Sequence, residues 1–309
     1  MINKAFILGA GLGTRLRPLT DSLPKPLVPL FHRPLVEWTL ESCTRAGIQS
    51  FAINTHHRPE AWHQPLPGSN FQPDASPPEP PPLHHHAHWR DYPVDFFHEP
   101  KLLDTGGGLR NIQSWIGDDD LLVHNGDIFT TLPLDQLIDC HQQNDSPVTL
   151  ALISGGPAPH IAYRDGHAHD IREMLNRAPG THTFTGIYCV SPRFLDVIQK
   201  DQKASVIPAL LEFARRDELA AIVLDGYHWF DLGEISSYLD AHQQLHLADP
   251  IHPSARIADR AHINHSVIGP GAHIGADARV SHSVVWPGAI VAPGESLDHQ
   301  VRTGSENHR

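Results

Sequence analysis

The segment GAGLGTRLRPLTDSLPKP, residues 9–26, comes directly after the apolar run KAFIL near the amino terminus. It has three glycines at alternate positions, then two arginines, then a lysine between two prolines. A short strand, a glycine turn and basic residues in this order are typical of a loop that holds phosphate. Several unrelated nucleotide-binding loops begin in this way, so the spacing has to decide between them.

The spacing excludes the two most familiar phosphate loops. A dinucleotide-binding fingerprint needs glycines at positions i, i+2 and i+5. Counting from Gly9 places Thr14 at the third position, and counting from Gly11 places Leu16 there. A P-loop needs a lysine directly after its last glycine, and none follows Gly13. The segment therefore predicts neither hydride transfer nor P-loop hydrolysis.

Composition limits the classes of partner. The chain has 309 residues and a formal net charge of −12, whereas binding to nucleic acid needs a basic face. No apolar run approaches the roughly 18 residues that span a bilayer. The cysteines Cys43, Cys140 and Cys189 are scattered and odd in number. We therefore expect reduced thiols in a cytoplasmic protein that binds neither nucleic acid nor membrane.

Apolar runs alternate with amphipathic segments, which predicts an α/β domain with a mixed, mainly parallel sheet. The predicted strands are residues 6–10, 51–55, 94–99, 121–127, 148–154 and 183–190. The predicted helices are residues 34–47, a segment beginning after Gly108, and residues 133–143, 204–216 and 235–247. We expect this domain to cover residues 1–248.

Residues 64–93 are rich in proline and histidine and low in apolar content, which predicts a surface loop inserted in the domain. The loop includes the run HHHAH, with His84, His85, His86 and His88. Adjacent imidazoles can bind Zn²⁺ or Ni²⁺. The chain holds 25 histidines, so the run is first of all a matter of composition, and we favour the interpretation without a physiological metal site.

A different periodicity begins at Pro250. Apolar residues recur in steps of six, six and five, a pattern that no amphipathic helix has. They are Ile251, Ile257, Ile263, Ile268, Ile274, Val280, Val285, Val291 and Leu297. A six-residue period is that of hexapeptide repeats, in which each apolar residue points into a parallel β-helix. We predict a short left-handed parallel β-helix over residues 249–300 and a disordered tail over residues 301–309.

The pattern that residues 9–26 do fit is G-x-G-T-R-x-x-P-x-T followed by P-K-P. It resembles the nucleotide-binding signature of the sugar-1-phosphate nucleotidyltransferases. Four further segments resemble family motifs and occur in the family's order. These are LDTGGGLRN (103–111), VHNGDIF (123–129), FTGIYCVSP (184–192) and GYHWFDLGEISSYLDAH (226–242). The resemblance covers residues 4–247.

The resemblance implies a Rossmann-like nucleotidyltransferase domain that converts an NTP and a sugar-1-phosphate into an NDP-sugar and pyrophosphate with Mg²⁺. It favours UTP or GTP and a hexose-type sugar. The implied catalytic residues are Arg15, Lys25 and Asp127, and the implied metal ligands are Asp127 and Asp231. The implied nucleotide-binding residues are Gly9, Ala10, Gly11, Gly13, Thr14, Arg15, Thr105, Gly106, Gly107 and Gly108. The implied sugar-phosphate-binding residues are Lys25, Asn125, Gly126, Thr185 and Gly186.

Two features point to different branches of the family. TGGG at residues 105–108 and APGT at residues 178–181 look most like the N-acetylmuramate-1-phosphate uridylyltransferases, whereas the repeat tail is similar to that of mannose-1-phosphate guanylyltransferases. Many members carry Glu-Lys-Pro before the sugar-pocket strand, and this chain has no such triplet. Arg172 or Arg177 is a candidate substitute for that lysine.

The sequence leaves two alternative functions open. The missing triplet favours a non-catalytic regulatory subunit that kept the fold. Hexapeptide β-helices often carry acyltransferase activity, and the repeat contains His262, His265, His273 and His282. We prefer a structural tail, and we expect a homo-oligomer because the end of a β-helix presents unpaired strands.

Overall fold

The structure, a computed structural model, describes residues 2–72, 82–200 and 202–304. The α-helices are α1 (Leu35–Arg45), α2 (Asp104–Asn111), α3 (Gln113–Ile116), α4 (Leu134–Gln143), α5 (Pro192–Leu195), α6 (Ile207–Arg215) and α7 (Ile235–Gln244). Short 3₁₀ helices cover Thr14–Leu16, Leu19–Asp21, Lys25–Leu27 and Pro59–His63. No helix of the described part is both long and apolar enough to cross a membrane.

The strands up to residue 231 are β1 (Lys4–Leu8), β2 (Pro29–Leu30), β3 (Arg33–Pro34), β4 (Ser50–Thr55), β5 (Phe71–Gln72), β6 (His84–Trp89), β7 (Tyr92–His98), β8 (Leu121–Asn125), β9 (Ile128–Thr130), β10 (Val148–Ile153), β11 (Ile161–Arg164), β12 (His167–Ile171), β13 (Thr183–Val190), β14 (Leu219–Val223) and β15 (Trp229–Asp231). The remaining strands are β16 (Arg256–Ile257), β17 (His262–Asn264), β18 (Val267–Ile268), β19 (His273–Ile274), β20 (Arg279–Ser281), β21 (Val284–Val285), β22 (Ile290–Val291), β23 (Ser296–Asp298) and β24 (Val301–Arg302).

The chain divides into two compact units. Unit 1 consists of Met1–Leu12, Trp38–Gln64 and Phe71–Trp229, and unit 2 consists of Gly13–Glu37, Pro65–Asn70 and Phe230–Arg309. Residues 13–37 and 230–248 belong to unit 2 together with the C-terminal strands, and the domain boundary at residue 248 stays a prediction.

Unit 1 is built on one mixed sheet with the strand order β11-β12-β14-β10-β13-β8-β1-β4-β7-β6-β5. Its centre is parallel, since β1 pairs in parallel with both β4 and β8, and β4 pairs in parallel with β7. Strand β13 runs antiparallel to its neighbours β8 and β10. The predicted mixed α/β sheet is confirmed, and its parallel strands bring several loops to the same edge.

The main core of unit 1 lies between this sheet and three helices. Leu109 of α2, Ile116 of α3 and Phe213 of α6 are buried against sheet residues such as Phe6 and Val123. The burial of these apolar side chains contributes roughly 25 cal/mol for each Å² removed from water. This packing holds α2 beside the carboxyl ends of the central strands.

The structure corrects the prediction of a loop over residues 64–93. His84–Trp89 forms β6, which pairs with β7 and buries Ala87 and Trp89 on alternate positions. Phe71–Gln72 forms β5, and residues 73–81 lie outside the described residues. A strand with one solvated face accepts polar residues at every second position, and β6 is such a strand. The run of histidines made this period-two pattern hard to recognise in the sequence.

The start of the second predicted helix is also corrected. The prediction began the helix after Gly108, but α2 begins at Asp104, so all three glycines lie inside it. Glycine is a poor helix former, which is why the sequence favoured a later start. The close approach of residues 202–204 to the backbone of α2 accounts for Gly106 and Gly107 at this place.

The C-terminal part of unit 2 contains three sheets, each of three short parallel strands. Their orders are β16-β19-β22, β17-β20-β23 and β18-β21-β24. Arg256 pairs with His273, which pairs with Ile290, so consecutive strands of a sheet are one 17-residue period apart. The predicted disordered tail is wrong at its start, because Val301–Arg302 forms β24, whereas residues 305–309 lie outside the described residues.

Most of the repeating apolar residues are buried. The predicted positions from Ile268 to Leu297 are buried, namely Ile268, Ile274, Val280, Val285, Val291 and Leu297. The first two, Ile251 and Ile257, are exposed. The six-six-five period therefore marks buried positions in the later repeats and exposed positions at Ile251 and Ile257.

Candidate active site

In unit 1 the glycine loop lies beside the predicted metal-binding aspartate. Strands β1 and β8 are parallel neighbours with Leu8 opposite Asn125, so both end at the same edge of the sheet. Gly9 then begins one loop and Gly126 the other, and the Gly126 N–H donates to the Leu8 carbonyl oxygen at 3.0 Å. Asp127 follows in this loop with a half-buried side chain.

A buried polar chain fixes the glycine loop in unit 1. The Gly9 N–H donates to Asn54 Oδ1 at 2.7 Å, and Asn54 Nδ2 donates to Glu99 Oε1 at 2.7 Å. The Leu103 N–H donates to Glu99 Oε2 at 2.8 Å, ahead of α2. Burial raises the pKa of Glu99. Sequence reasoning missed Asn54 and Glu99; the available signal was one polar residue near the end of each of two apolar strands.

The glycines of α2 allow a neighbouring segment to approach its backbone. The N–H groups of Gly106 and Gly107 both donate to the Ala204 carbonyl oxygen, at 2.8 and 2.9 Å. A Cβ on Gly107 would lie 2.6 Å from the Gln202 carbonyl oxygen. The close approach of residues 202–204 explains these glycines structurally, and their role in nucleobase binding stays a prediction.

Strand β13 brings two predicted sugar-phosphate residues beside β8. Gly186 has a φ of +78°, and a Cβ there would lie 2.6 Å from Asn125 Nδ2, so glycine lets the Asn125 amide approach. The Thr185 hydroxyl is buried and donates to the Ala151 carbonyl oxygen at 2.8 Å. Trp229 Nε1 donates to the Thr185 carbonyl oxygen at 2.9 Å. Thr185 is thus already hydrogen-bonded within the fold.

In unit 2 an arginine guanidinium and an aspartate carboxylate both lie close to Gly233. A Cβ on Gly233 would lie 2.8 Å from Asp231 Oδ1 and 2.9 Å from Arg15 Nη2. Arg15 Nη1 also pairs with Glu234 Oε1 at 2.9 Å, although both side chains are more than half exposed. Glu234 therefore contacts Arg15, and this pairing was not apparent from the sequence.

The rest of the basic loop is ordered within unit 2. Gly13 has a φ of +63°, and its carbonyl oxygen accepts a hydrogen bond from the Thr20 hydroxyl at 2.8 Å. Thr14 and Arg15 begin a 3₁₀ turn directly after it. Lys25 begins another, after a proline, and its side chain is half-buried. The two cations thus lie on short rigid turns, which limits the conformational freedom that binding would remove.

A family model described as "Nucleotidyl transferase" matches residues 4–247. The chain belongs to the nucleotidyl transferase family. The match includes the glycine loop, the three glycines of α2, the Asn125–Asp127 loop and Asp231.

Curated relatives of this nucleotidyl transferase carry related names. The chain is 28% identical over 237 residues to the mannose-1-phosphate guanylyltransferase of Mycobacterium tuberculosis, a match that covers 74% of this chain and 60% of that protein. It is 27% identical over 245 residues to the mannose-1-phosphate guanyltransferase of Yarrowia lipolytica, with 76% and 62% covered. The chain thus spans 60–62% of the length of these relatives.

Solved structures share the fold. The UDP-glucose pyrophosphorylase of Acinetobacter baumannii aligns with a TM-score of 0.61 at 19% identity, covering 78% of this chain and 92% of that chain. A UTP-bound form from the same organism aligns with a TM-score of 0.62 at 18% identity, also covering 78% and 92%. At this identity the likeness establishes the nucleotidyl transferase fold alone.

Members of this family generally use a divalent metal, and the donor set of this chain suits a hard one. Asp127 in unit 1 and Asp231 in unit 2 are both half-buried carboxylates in the matched region. Carboxylate oxygens are the protein ligands that Mg²⁺ prefers, usually one or two of them together with substrate phosphates and water. Each of the two carboxylates, taken by itself, therefore has the chemistry of an Mg²⁺ ligand.

Arg172 and Arg177, the two candidate substitutes for the missing lysine, have different surroundings. Arg177 Nη1 donates to the Ala214 carbonyl oxygen at 2.8 Å, and Nη2 donates to that of Arg215 at 3.1 Å. These carbonyls belong to the last turn of α6, where a cation is favourable. Arg177 Nη1 also pairs with Asp217 at 3.2 Å. Arg177 therefore stabilises a helix end, while Arg172 is exposed.

Proposed function

We propose that this protein transfers a nucleotidyl group from an NTP to a sugar-1-phosphate and releases pyrophosphate. The observation that carries the proposal is the pairing of β1 with β8, which sets the glycine loop beside the Asp127 loop at one sheet edge. A phosphate-binding loop beside a metal-binding carboxylate is the arrangement that phosphoryl chemistry needs. The family match over residues 4–247 supports the same reaction.

The proposed reaction is an in-line displacement at the α-phosphorus. An oxygen of the sugar phosphate forms the new P–O bond, and the bond to pyrophosphate breaks. The attacking oxygen is already anionic, so no general base is needed, and the difficulty is to bring two anions together. Positive charge and positioning supply most of the catalysis in such reactions.

The charged residues take the following roles in the proposal. Arg15 neutralises the triphosphate and stabilises the leaving pyrophosphate, because a guanidinium binds phosphate oxygens with two parallel donors. Lys25 holds the α-phosphate or the incoming sugar phosphate as a point charge. Asp127 and Asp231 hold Mg²⁺, which neutralises phosphate charge when bound.

The remaining predicted residues bind the substrates without bond changes. Gly9, Ala10, Gly11, Gly13 and Thr14 admit the triphosphate to the loop backbone, and Thr105, Gly106, Gly107 and Gly108 form a surface for the base. Asn125, Gly126, Thr185 and Gly186 border the sugar phosphate. All but Gly13 and Thr14 lie in unit 1.

GTP and mannose-1-phosphate are the proposed substrates, with UTP and other hexose-1-phosphates as the alternatives. The names of the M. tuberculosis and Y. lipolytica relatives support the guanylyl reaction. For the C-terminal sheets we propose a short left-handed parallel β-helix, supported by the 17-residue step between paired strands and by the buried apolar residues at that period.

The proposal is tested by assaying purified protein with Mg²⁺ against a matrix of NTPs and sugar-1-phosphates, with pyrophosphate release as the measurement. We expect turnover with one NTP and one hexose-1-phosphate. Asp127→Asn should lower kcat at least 100-fold, because it removes an anionic metal ligand from the step in which charge develops. Asp118→Asn is the matched control, since Asp118 is an exposed carboxylate of the same unit.

Two outcomes would contradict the proposal. Turnover of Asp127→Asn near the wild-type rate would refute the metal assignment. An absence of pyrophosphate release across the whole matrix, from folded protein, would favour the non-catalytic regulatory subunit. Acetyl-CoA turnover by the full chain would add support for the acyltransferase alternative.

A further inference from the structure

Two histidines of β6 and one aspartate of β7 converge at the surface of unit 1. His84 Nε2 lies 2.8 Å from Asp95 Oδ1, and His86 Nδ1 lies 2.6 Å from the same oxygen. One potential ligand atom from each of the three residues lies within 4.8 Å of the others. We propose that His84, His86 and Asp95 form a binding site for one divalent transition-metal ion, Zn²⁺ in the first place.

Strand geometry selects these two histidines from the four of the HHHAH run. Alternate residues of a strand point to the same face, so His84 and His86 share a face and His85 points to the other. His86 is directly opposite Asp95 in the ladder. The His84 ring stacks on Phe97 with centroids 4.5 Å apart and planes 11° apart, which fixes its orientation.

The two other histidines of the run have different surroundings. The His85 ring stacks on Phe96, on the opposite face, with centroids 5.0 Å apart. His88 is exposed and opposite Pro93 in the ladder, so it has no carboxylate as its cross-strand partner. A specific site needs His84, His86 and Asp95, whereas the general metal affinity of a histidine-rich run would depend on all four histidines alike.

Asp95 is held in place on its far side. The residue is only 7% exposed, and its second oxygen, Oδ2, accepts a hydrogen bond from Trp115 Nε1 at 2.8 Å. This leaves Oδ1 directed at the two imidazoles. Groups that orient a ligating carboxylate in this way typically change metal affinity 10- to 100-fold when removed.

The ligand atoms and the distances between them suit an ion with tetrahedral coordination. Two imidazole nitrogens and one carboxylate oxygen are ordinary Zn²⁺ ligands, and a site with three protein ligands leaves one position for water. At metal–ligand distances of about 2.0–2.1 Å, tetrahedral ligand atoms lie about 3.3 Å apart. The separations of 2.6 and 2.8 Å need to open by less than 1 Å to admit the ion. A bound ion would link β6 to β7.

The test measures Zn²⁺ binding to the full chain by titration calorimetry with excess Mg²⁺ present, so that hard carboxylate sites are occupied. His282, Asp298 and His299 form the second such cluster of the described residues, and a His299→Ala background removes it. We expect one equivalent of Zn²⁺ to bind. His84→Ala and His86→Ala should each weaken binding at least 10-fold, and Asp95→Asn should do the same.

His88→Ala is the matched control, because it removes one exposed imidazole from the same strand and the same run. It should leave Zn²⁺ affinity unchanged, and Trp115→Phe should lower the affinity 10- to 100-fold. Substitution of Co²⁺ should give the intense visible absorption of a four-coordinate site, and this should vanish in His86→Ala.

The proposal is overturned if His88→Ala weakens Zn²⁺ binding as much as His84→Ala does while Asp95→Asn and Trp115→Phe have no effect. That pattern would indicate general affinity of the histidine run. Absence of stoichiometric binding would overturn it as well. His84→Ala and His86→Ala alter exposed side chains, so they decide the question even if Asp95→Asn fails to fold. Nucleotidyl transfer is not part of the readout, so failure here leaves the proposed function untouched.

Discussion

At the scale of single residues, Gly233 is the position where function and stability can be separated. It lies beneath Asp231 Oδ1 and Arg15 Nη2, and both atoms are at the ends of flexible side chains. A methyl group there would displace the proposed metal ligand and the proposed triphosphate cation together. The backbone would not have to move, because no backbone atom is among the nearest contacts of the added Cβ.

We predict that Gly233→Ala folds with wild-type stability, within about 0.5 kcal/mol, and loses activity. The loss in kcat/KM should be about 100-fold or more, the typical effect of misplacing one preorganised charged donor. Urea unfolding and steady-state kinetics measure the two quantities. Gly155→Ala is the control, since a Cβ there meets nothing within 4 Å. Near wild-type kcat/KM in Gly233→Ala would argue against the roles of Asp231 and Arg15.

At the scale of elements, the loop after β1 contains two glycines with different reasons to be there. A Cβ on Gly9 would lie 2.7 Å from the Asn54 backbone oxygen, whereas a Cβ on Gly11 meets nothing within 4 Å. Gly9 is therefore required by the packing of β1 against β4. Gly11 is exposed, and the fold gives no steric reason for it.

We predict opposite effects of alanine at these two positions. Gly9→Ala should lower the free energy of unfolding by about 1–3 kcal/mol, as overpacking does. Gly11→Ala should leave it unchanged and raise the KM for the NTP at least 10-fold, because the added methyl group keeps phosphate away from the loop backbone. Denaturant unfolding and NTP saturation curves measure both. An unchanged KM in Gly11→Ala would indicate that this loop does not bind the triphosphate.

The same elements show what the sequence could predict. Periodicity located the central strands because buried parallel strands are continuous apolar runs, and the six-six-five spacing of apolar residues predicted the short C-terminal strands. It missed β6, where polar residues alternate with buried ones, and the hairpin of β11 and β12. The family resemblance pointed to Asp127 and Asp231 as proposed metal ligands but did not point to Asn54, Glu99 or Glu234. Each of those three has a hydrogen bond with a residue 45 or more positions away, and one sequence does not show which distant residues are in contact.

At the scale of the whole molecule, each unit buries a neutral histidine. Burial lowers the pKa of His124 in unit 1 and of His242 in unit 2 from 6.5 to about 4. For His242 the hydrogen bonds explain the neutral form. Its Nε2 accepts from the Phe31 N–H at 3.0 Å, so Nδ1 carries the proton and donates to the Tyr238 carbonyl oxygen at 2.8 Å. Protonation of Nε2 would break the bond from Phe31.

The sign of the pH effect follows from these pKa values. Below pH 6.5 the unfolded chain binds a proton at each histidine that the folded chain does not, so stability falls as the pH falls toward 4. Each buried histidine lowers the free energy of unfolding by up to about 3 kcal/mol as the pH falls from 6.5 to 4. Glu99 acts in the opposite direction, because its raised pKa removes stability as the pH rises through its folded value.

We predict that the free energy of unfolding of unit 2 is about 2 kcal/mol lower at pH 5.0 than at pH 7.5 on account of His242 alone. His242→Gln should abolish that difference, because glutamine keeps an acceptor for the Phe31 N–H and cannot be protonated in this range. Urea unfolding at the two pH values measures it, with Trp286, which donates to Tyr238 Oη at 3.0 Å, as the fluorescent reporter beside the site. His246→Gln, at an exposed position, should leave the pH dependence as it is in the wild type. If His242→Gln also retained the full pH dependence, the acid sensitivity of unit 2 would have to come from other groups, and the neutral buried imidazole would be the wrong explanation.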